Sequence, residues 1–213
     1  MAVNGAGEFG DTGIAGMSEA AARAALIPLT PTAQETRRGP RTPVECGDLP
    51  FLIRRDGIWL YRGSPIGRKE MVCLFASVLK READGSFWLE TPAERGRIEV
   101  EDAPFVAVEL DWRGAERGQK LSFRTNIDQI VTAGPDHPIR IAYDLITCAP
   151  TPYIKLRDGK GRYPIEARIS RAVYYELAAL AEPHVVLGRR ECGVWSGGRF
   201  FSLGDASAAA DDA

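Results

Sequence analysis

"LPFLIRRDGIWLYRGSPIGRKEMVCLFASVLK", residues 49–80, decides how the chain folds. Two apolar runs flank Asp56-Gly57, a dipeptide whose tolerance of positive φ makes it a strong hairpin signal. In the second run Ile58 and Leu60 point one way and Trp59 and Tyr61 the other. Past Pro65 the period changes. Met71, Leu74, Phe75, Val78 and Leu79 recur at three- and four-residue spacing, which predicts a helix over 68–80 with one apolar stripe. Gly67 is the expected N-cap, and Lys80 and Arg81 suit the C-terminal end.

The helix start raises a question, because Arg68 and Lys69 stand at the end that favours negative charge. "GSPIGRKE", residues 63–70, is not a Walker loop. Its two glycines are too close, Arg68 precedes Lys69, and Glu70 replaces the hydroxyl that a P-loop needs. Free N–H groups plus two cations still describe a simpler anion site.

Outward from this stretch the same order recurs. "TPYIKLRDGKGRYPIEARISRAVYYELAALA", residues 151–181, repeats Arg55-Asp56-Gly57 as Arg157-Asp158-Gly159. A second helix should begin after Ser170 as N-cap, with Val173, Leu177 and Leu180 as its stripe. Two hairpin-then-helix units point to duplication. Between them "GSFWLETP", "GRIEVEDAPFVAVELDWRG" (broken by Pro104) and "KLSFRTNIDQIVTAGPDHPIRIAYD" predict short strands around turn residues. "HVVLGRRECGVWSGGRFFSLG" adds two more. The expected fold is α+β: two related halves, each an antiparallel sheet with a packed helix. The expected divisions are a disordered tail over 1–44, domains over 45–113 and 114–204, and a fraying tail over 205–213. Ser18 to Leu26 is the one stretch of the first tail with helical character. The expected core contains Ile58, Leu74, Phe75, Val78, Val106, Val108, Phe123, Ile154, Val173 and Leu177.

Composition narrows the function classes. The 213 residues carry a net charge of −2, so no overall basic field advertises nucleic acid. Cys46, Cys73, Cys148 and Cys192 form no CxxC pair, and with two histidines they argue against a zinc site or disulfide framework. Neither a signal peptide nor a stretch of about 18 apolar residues is present, which predicts a soluble cytoplasmic protein with free thiols.

Chemistry concentrates in "FRTNIDQIVTAGPDHPIR", residues 123–140. Asn126 and Asp128 suit a base or ribose, and Arg124 or Arg140 a phosphate. Hairpin turns use the same residue types for local backbone bonds. Asp136-His137 lacks any nucleophile elbow, and strand alternation sends Glu101 and Asp102 to opposite faces. Trp59, Tyr61, Trp88, Trp112 and Trp195 are scattered as sheet-packing aromatics are. No catalytic residue, metal ligand or cofactor is assigned.

The segments "CGDLPFLIRRDGIWLYRGSPIGRKEMVCLFASVL", "RIEVEDAPFVAVEL", "LSFRTNIDQIVTAGPDHPIR" and the 151–181 stretch together resemble a bacterial domain-of-unknown-function family, number 1285. The resemblance spans about Cys46 to Leu203. It implies a duplicated two-domain core whose C-terminal half is similar to pleckstrin-homology-like barrels. It also implies a site for a nucleotide-like molecule between the halves and a role in signalling; fold likeness alone transfers no lipid binding. The resulting expectation is non-enzymatic binding of an anionic small molecule by Arg68, Lys69, Arg124, Asn126 and Arg140. The alternatives are a protein–protein adaptor using its sheet surface or edge strands, and a hydrolase of a phosphorylated small molecule.

Overall fold

A computed structural model describes residues 42–143 and 148–205. The Ser18–Leu26 helix and the two tails expected from sequence lie outside them, save for the few tail residues next to the body. The first half runs β1 (Val44–Ile53), β2 (Trp59–Tyr61), β3 (Ser64–Pro65), α1 (Lys69–Ser77), β4 (Leu79–Arg81), β5 (Phe87–Glu90) and β6 (Glu94–Val100). Its sheet has the order β3-β2-β1-β6-β5-β4. It is two antiparallel meanders joined where β1 and β6 run parallel at the centre.

The second half runs β7 (Phe105–Arg113), β8 (Lys120–Thr125), β9 (Ile130–Thr132), β10 (Ile139–Tyr143), β11 (Pro150–Arg157), β12 (Ile165–Ile169) and α2 (Arg171–Ala179). Taken from its far edge the sheet order is β9-β8-β7-β12-β11-β10, with β7 and β12 parallel at the centre. The first and last of six strands therefore meet in the middle of both sheets. A three-stranded meander follows: β13 (Glu182–Val186), β14 (Arg189–Ser196) and β15 (Arg199–Asp205). Ser196 ties it to the second sheet, accepting from Leu121 N at 2.9 Å and donating to Ala133 O at 2.7 Å.

Several expectations are corrected. The α+β expectation holds in part: the protein is mostly sheet, with two nine-residue helices among the described residues. The duplication is one of sheet topology, and the repeated hairpin-then-helix is not its unit. By topology the β1–β2 hairpin corresponds to β7–β8, whereas the repeated Arg-Asp-Gly lies between β11 and β12. Turn chemistry and helix stripes are local signals that any hairpin or helix can carry, so they recur out of phase with the sheets. The change of sheet falls between Val100 and Phe105, ahead of the expected 113/114 division, because β7 pairs with β8 and β12. The last segment holds three strands rather than two.

Helix and core boundaries shift for physical reasons. α1 ends at Ser77 because Leu79 to Arg81 pair with β5. Its N-cap is Arg68 rather than Gly67, in extended conformation and without a side-chain cap bond. Ser170 does cap α2, accepting from Val173 N. Phe75, Val106, Phe123, Ile154, Val173 and Leu177 are buried as expected, and Val78 is half-buried. Ile58, Leu74 and Val108 are exposed. In the first hairpin Ile53 pairs with Trp59, so Trp59 takes the inward face at 1% exposure and Ile58 turns out at 42%. No helix among the described residues is long and apolar enough to cross a membrane.

Both Arg-Asp-Gly turns dock on the opposite half. Asn126, after β8, donates from Nδ2 to Gly57 O at 3.1 Å and accepts from Val106 N at 3.1 Å, so its amide stitches the first hairpin to β7. The β11–β12 loop in turn lies against β4: Lys160 N donates to Arg81 O at 2.7 Å. Arg157 reaches the C-terminal end of α1, donating to Ala76 O at 2.7 Å and Leu79 O at 3.2 Å. Ala76 O belongs to the last turn of the helix, whose carbonyls have no internal partners, and Leu79 O to the start of β4.

Candidate functional site

Between the halves lies a cleft of about 170 Å³, lined by Arg81, Asp102, Pro104, Arg140, Tyr153 and Glu166 among others. Strand register builds its floor. Arg140 on β10 sits opposite Tyr153 on β11, and Tyr153 sits opposite Arg168 on β12, so all three stand in a row on one face. Glu166, two residues before Arg168, shares that face. The alternating residues Ile139, Ile154, Ala167 and Ile169 fill the core on the other face. Arg81, at the end of β4, comes from the first half, and Asp102 from the link between the sheets.

The polar groups are closely matched but not fully paired. Arg140 holds Glu166 with two bonds of 2.6 Å, from Nε and Nη2, and its guanidinium lies 4.3 Å from the Tyr153 ring centroid. Hydrogen bonding to Glu166 raises the Arg140 pKa. Tyr153 donates to Asp102 at 2.7 Å, and burial pushes its phenol well above the ordinary tyrosine range. Arg168 Nε stands 3.8 Å from Asp102 Oδ2, too far for a hydrogen bond, and is buried without a bonded partner among the described residues. Arg81 is held by carbonyls, donating to Pro164 O at 2.6 Å and Gly85 O at 3.3 Å. It has no ion pair among the described residues, and burial lowers its pKa. Arg81, Arg140 and Arg168 thus face two carboxylates, Asp102 and Glu166, leaving one positive charge over.

Arg140 is the one residue of the expected binding set in this cleft. Lys69 and Arg124 lie elsewhere and already hold an anion. Asp128 accepts from Lys69 Nζ at 2.5 Å and from Arg124 Nη1 at 2.8 Å, and Arg124 also grips Glu109 through two nitrogens. Of the two cations at the start of α1, Lys69 therefore does face a negative charge at the boundary: the carboxylate of Asp128. Arg68 is exposed. Asn126 is taken up by Gly57 and Val106. Arg140 on β10 and Arg124 on β8 are four strand spacings apart, about 19 Å along the sheet. The five residues do not converge.

Sequence inspection missed Arg81, Asp102, Tyr153, Glu166 and Arg168. A faint signal was present, since "PYIKLR" and "IEARI" alternate charged or tyrosine positions with aliphatic ones. Glu101 and Asp102 do separate, though in the bend between β6 and β7 rather than by alternation along a strand. Glu101 accepts from Arg55 N at 2.8 Å while Asp102 takes Tyr153. His137 meets Lys155 O at 2.9 Å. Among the described residues no three His, Cys, Asp or Glu side chains are grouped to hold a metal.

The Lys69–Asp128–Arg124 clasp makes a pH prediction. Hydrogen bonds from Lys69 and then Arg124 hold the Asp128 carboxyl below the usual range. Its stabilisation is therefore complete above about pH 4, the unfolded value, and is lost as pH falls through the depressed folded value. Thermal melts of wild type and Asp128→Asn should differ slightly at pH 7 and converge in acid. A difference that persists unchanged at low pH would show that the carboxylate charge is not what joins the halves.

The DUF1285 N-terminal domain, a domain of unknown function, matches residues 41–103, and the C-terminal domain of the same family matches 104–203. A crystal structure of a DUF1285 family protein from Silicibacter pomeroyi DSS-3 is 40% identical, with a TM-score of 0.69 over 81% of this chain and 91% of that one. Another, from Shewanella baltica OS155, is 27% identical with a TM-score of 0.45, covering 60% of this chain and 89% of that one. No curated protein matches the chain.

Proposed function

The chain belongs to the DUF1285 family, whose description names no function, and we propose from its geometry that the cleft between the halves binds a small anionic molecule through its charged head group. The carrying observation is the excess of arginine: Arg81 and Arg168 face the cleft region without a carboxylate at hydrogen-bond distance among the described residues. Guanidinium groups are weakly hydrated and match the geometry of phosphate and carboxylate oxygens. The volume supports a head group rather than a whole nucleotide, since drug-sized ligands occupy about 300–1,000 Å³. A nucleotide would enter by its phosphate and leave its base outside. In this proposal Arg140 is the one retained member of the set read from sequence; Lys69 and Asn126 join the halves instead, and Arg124 holds Glu109 and Asp128 within the second half. The protein acts as a sensor rather than a catalyst, consistent with a signalling role. A pleckstrin-homology-like second half is the finer fold proposal, supported by a six-stranded sheet with α2 laid against β7.

Calorimetric titration with inorganic phosphate and with adenosine monophosphate tests this. Both should bind with similar affinity. Arg81→Met should weaken each by about 1.5–3 kcal/mol, the range for a charge-assisted hydrogen bond. Adenosine binding as tightly as its monophosphate, or no heat and no thermal shift with either anion, would reject an anion site in the cleft.

A further inference from the structure

We propose that the β11–β12 loop, residues 158–164, is a strap whose mobility reports whether the cleft is occupied, an inference that rests on the anion site proposed above. Arg81 belongs to both places. Its guanidinium lines the cleft, yet the loop grips it from several sides. Its carbonyl accepts from Lys160 N at 2.7 Å, and its Nη1 donates to Pro164 O at 2.6 Å. Its guanidinium carbon lies 5.3 Å from the ring centroid of the loop's Tyr163 and, on the side of its own half, 4.7 Å from that of Phe87 on β5. The neighbouring residue continues the grip, with Lys160 Nζ on Glu82 Oε1 at 2.7 Å. Gly159 permits this closeness, because a Cβ there would collide with the Tyr163 carbonyl and press on Arg81. Asp158, Lys160, Gly161 and Arg162 are nevertheless exposed, so the loop is held through β4 and its turn while its outer side meets water.

The direction of the coupling follows from the donor count. A guanidinium has five N–H groups. Two of Arg81's are used on Gly85 O and Pro164 O, which leaves three for an anion without breaking the strap's bond. An anion on Arg81 therefore adds to the grip rather than competing with it. The bond to Pro164 O is one of the two that fix the guanidinium, so opening the strap loosens Arg81 and weakens its hold on an anion, and a bound anion in turn favours the closed strap.

The Lys160 amide is the natural reporter, since its hydrogen bond goes to Arg81 itself. Hydrogen exchange of the full chain should be measured with and without inorganic phosphate, alongside calorimetry. With phosphate at ten times its dissociation constant, exchange at Lys160 should slow severalfold, with roughly tenfold as the limit if the open strap binds no phosphate, while amides of β14 change little. Lys160→Ala, which removes the Glu82 contact outside the cleft, should speed loop exchange and leave phosphate affinity within about threefold, as expected of a rim charge. Phosphate that binds without slowing Lys160, or that slows all amides alike, would overturn the strap and leave the anion site standing. Failure of phosphate to bind at all would overturn both.

Discussion

Gly57→Ala should lower the melting temperature by about 6–12 °C, equivalent to roughly 3 kcal/mol in a chain of this size. Two costs combine. Gly57 has φ +83, and an L-residue there costs about 1–2 kcal/mol. A Cβ would also stand 2.7 Å from Asn126 Nδ2 and 2.9 Å from Val106 Cγ2. Asn126 must then move, losing its bond to the Gly57 carbonyl, worth about 1 kcal/mol. Gly63→Ala is the internal control. Its φ is +80 and nothing lies within 4 Å of its added Cβ, so only the backbone cost applies. Thermal denaturation of both variants separates the two contributions. Equal losses would mean that docking the first hairpin on Asn126 adds nothing to stability.

Arg140→Ala should cost about 2 kcal/mol and Glu166→Gln should partly restore it. Breaking a fully enclosed ion pair costs about 3–5 kcal/mol, chiefly because the surviving charge is left buried. Here the Glu166 side chain is 7% exposed but that of Arg140 is 50% exposed, so water screens one side and the smaller figure applies. Neutralising Glu166 removes the uncompensated charge, and the double variant should recover about half of the loss by the same reasoning. Urea unfolding of the four proteins in the cycle measures this. A double variant no more stable than Arg140→Ala would show that Glu166 is not destabilised when its partner leaves. The sensor proposal makes one more demand of this pair. Arg140 remains bound to Glu166 while it faces the cleft, so it contributes long-range charge more than direct bonds to a ligand.

The β1–β2 hairpin, both helices, the break at Pro104 and the N-cap at Ser170 were legible in the residues themselves. Each depends on turn chemistry, periodicity or capping within a few positions. So did the family, whose distinctive segments run through most of the chain. The errors arose where a residue's place depends on a distant partner. Ile58 and Trp59 are apolar neighbours at the start of β2, and only the pairing of Ile53 with Trp59 decides which turns inward. The repeated Arg-Asp-Gly is real as sequence, but the order in which strands pair sets the true repeat out of phase with it. The site depended most on tertiary structure. Lys69 looks like a free cation until Asp128, exposed on a turn of the other half and already held by Arg124 four residues before it, is brought against it. Arg81 looks like an ordinary basic residue at the end of a helix, and becomes a cleft residue because β4 ends beside the β11–β12 loop. Local propensity acts over a few residues and is written along the chain; the fate of a charge is decided by which charges long-range strand pairing places within a few ångströms of it.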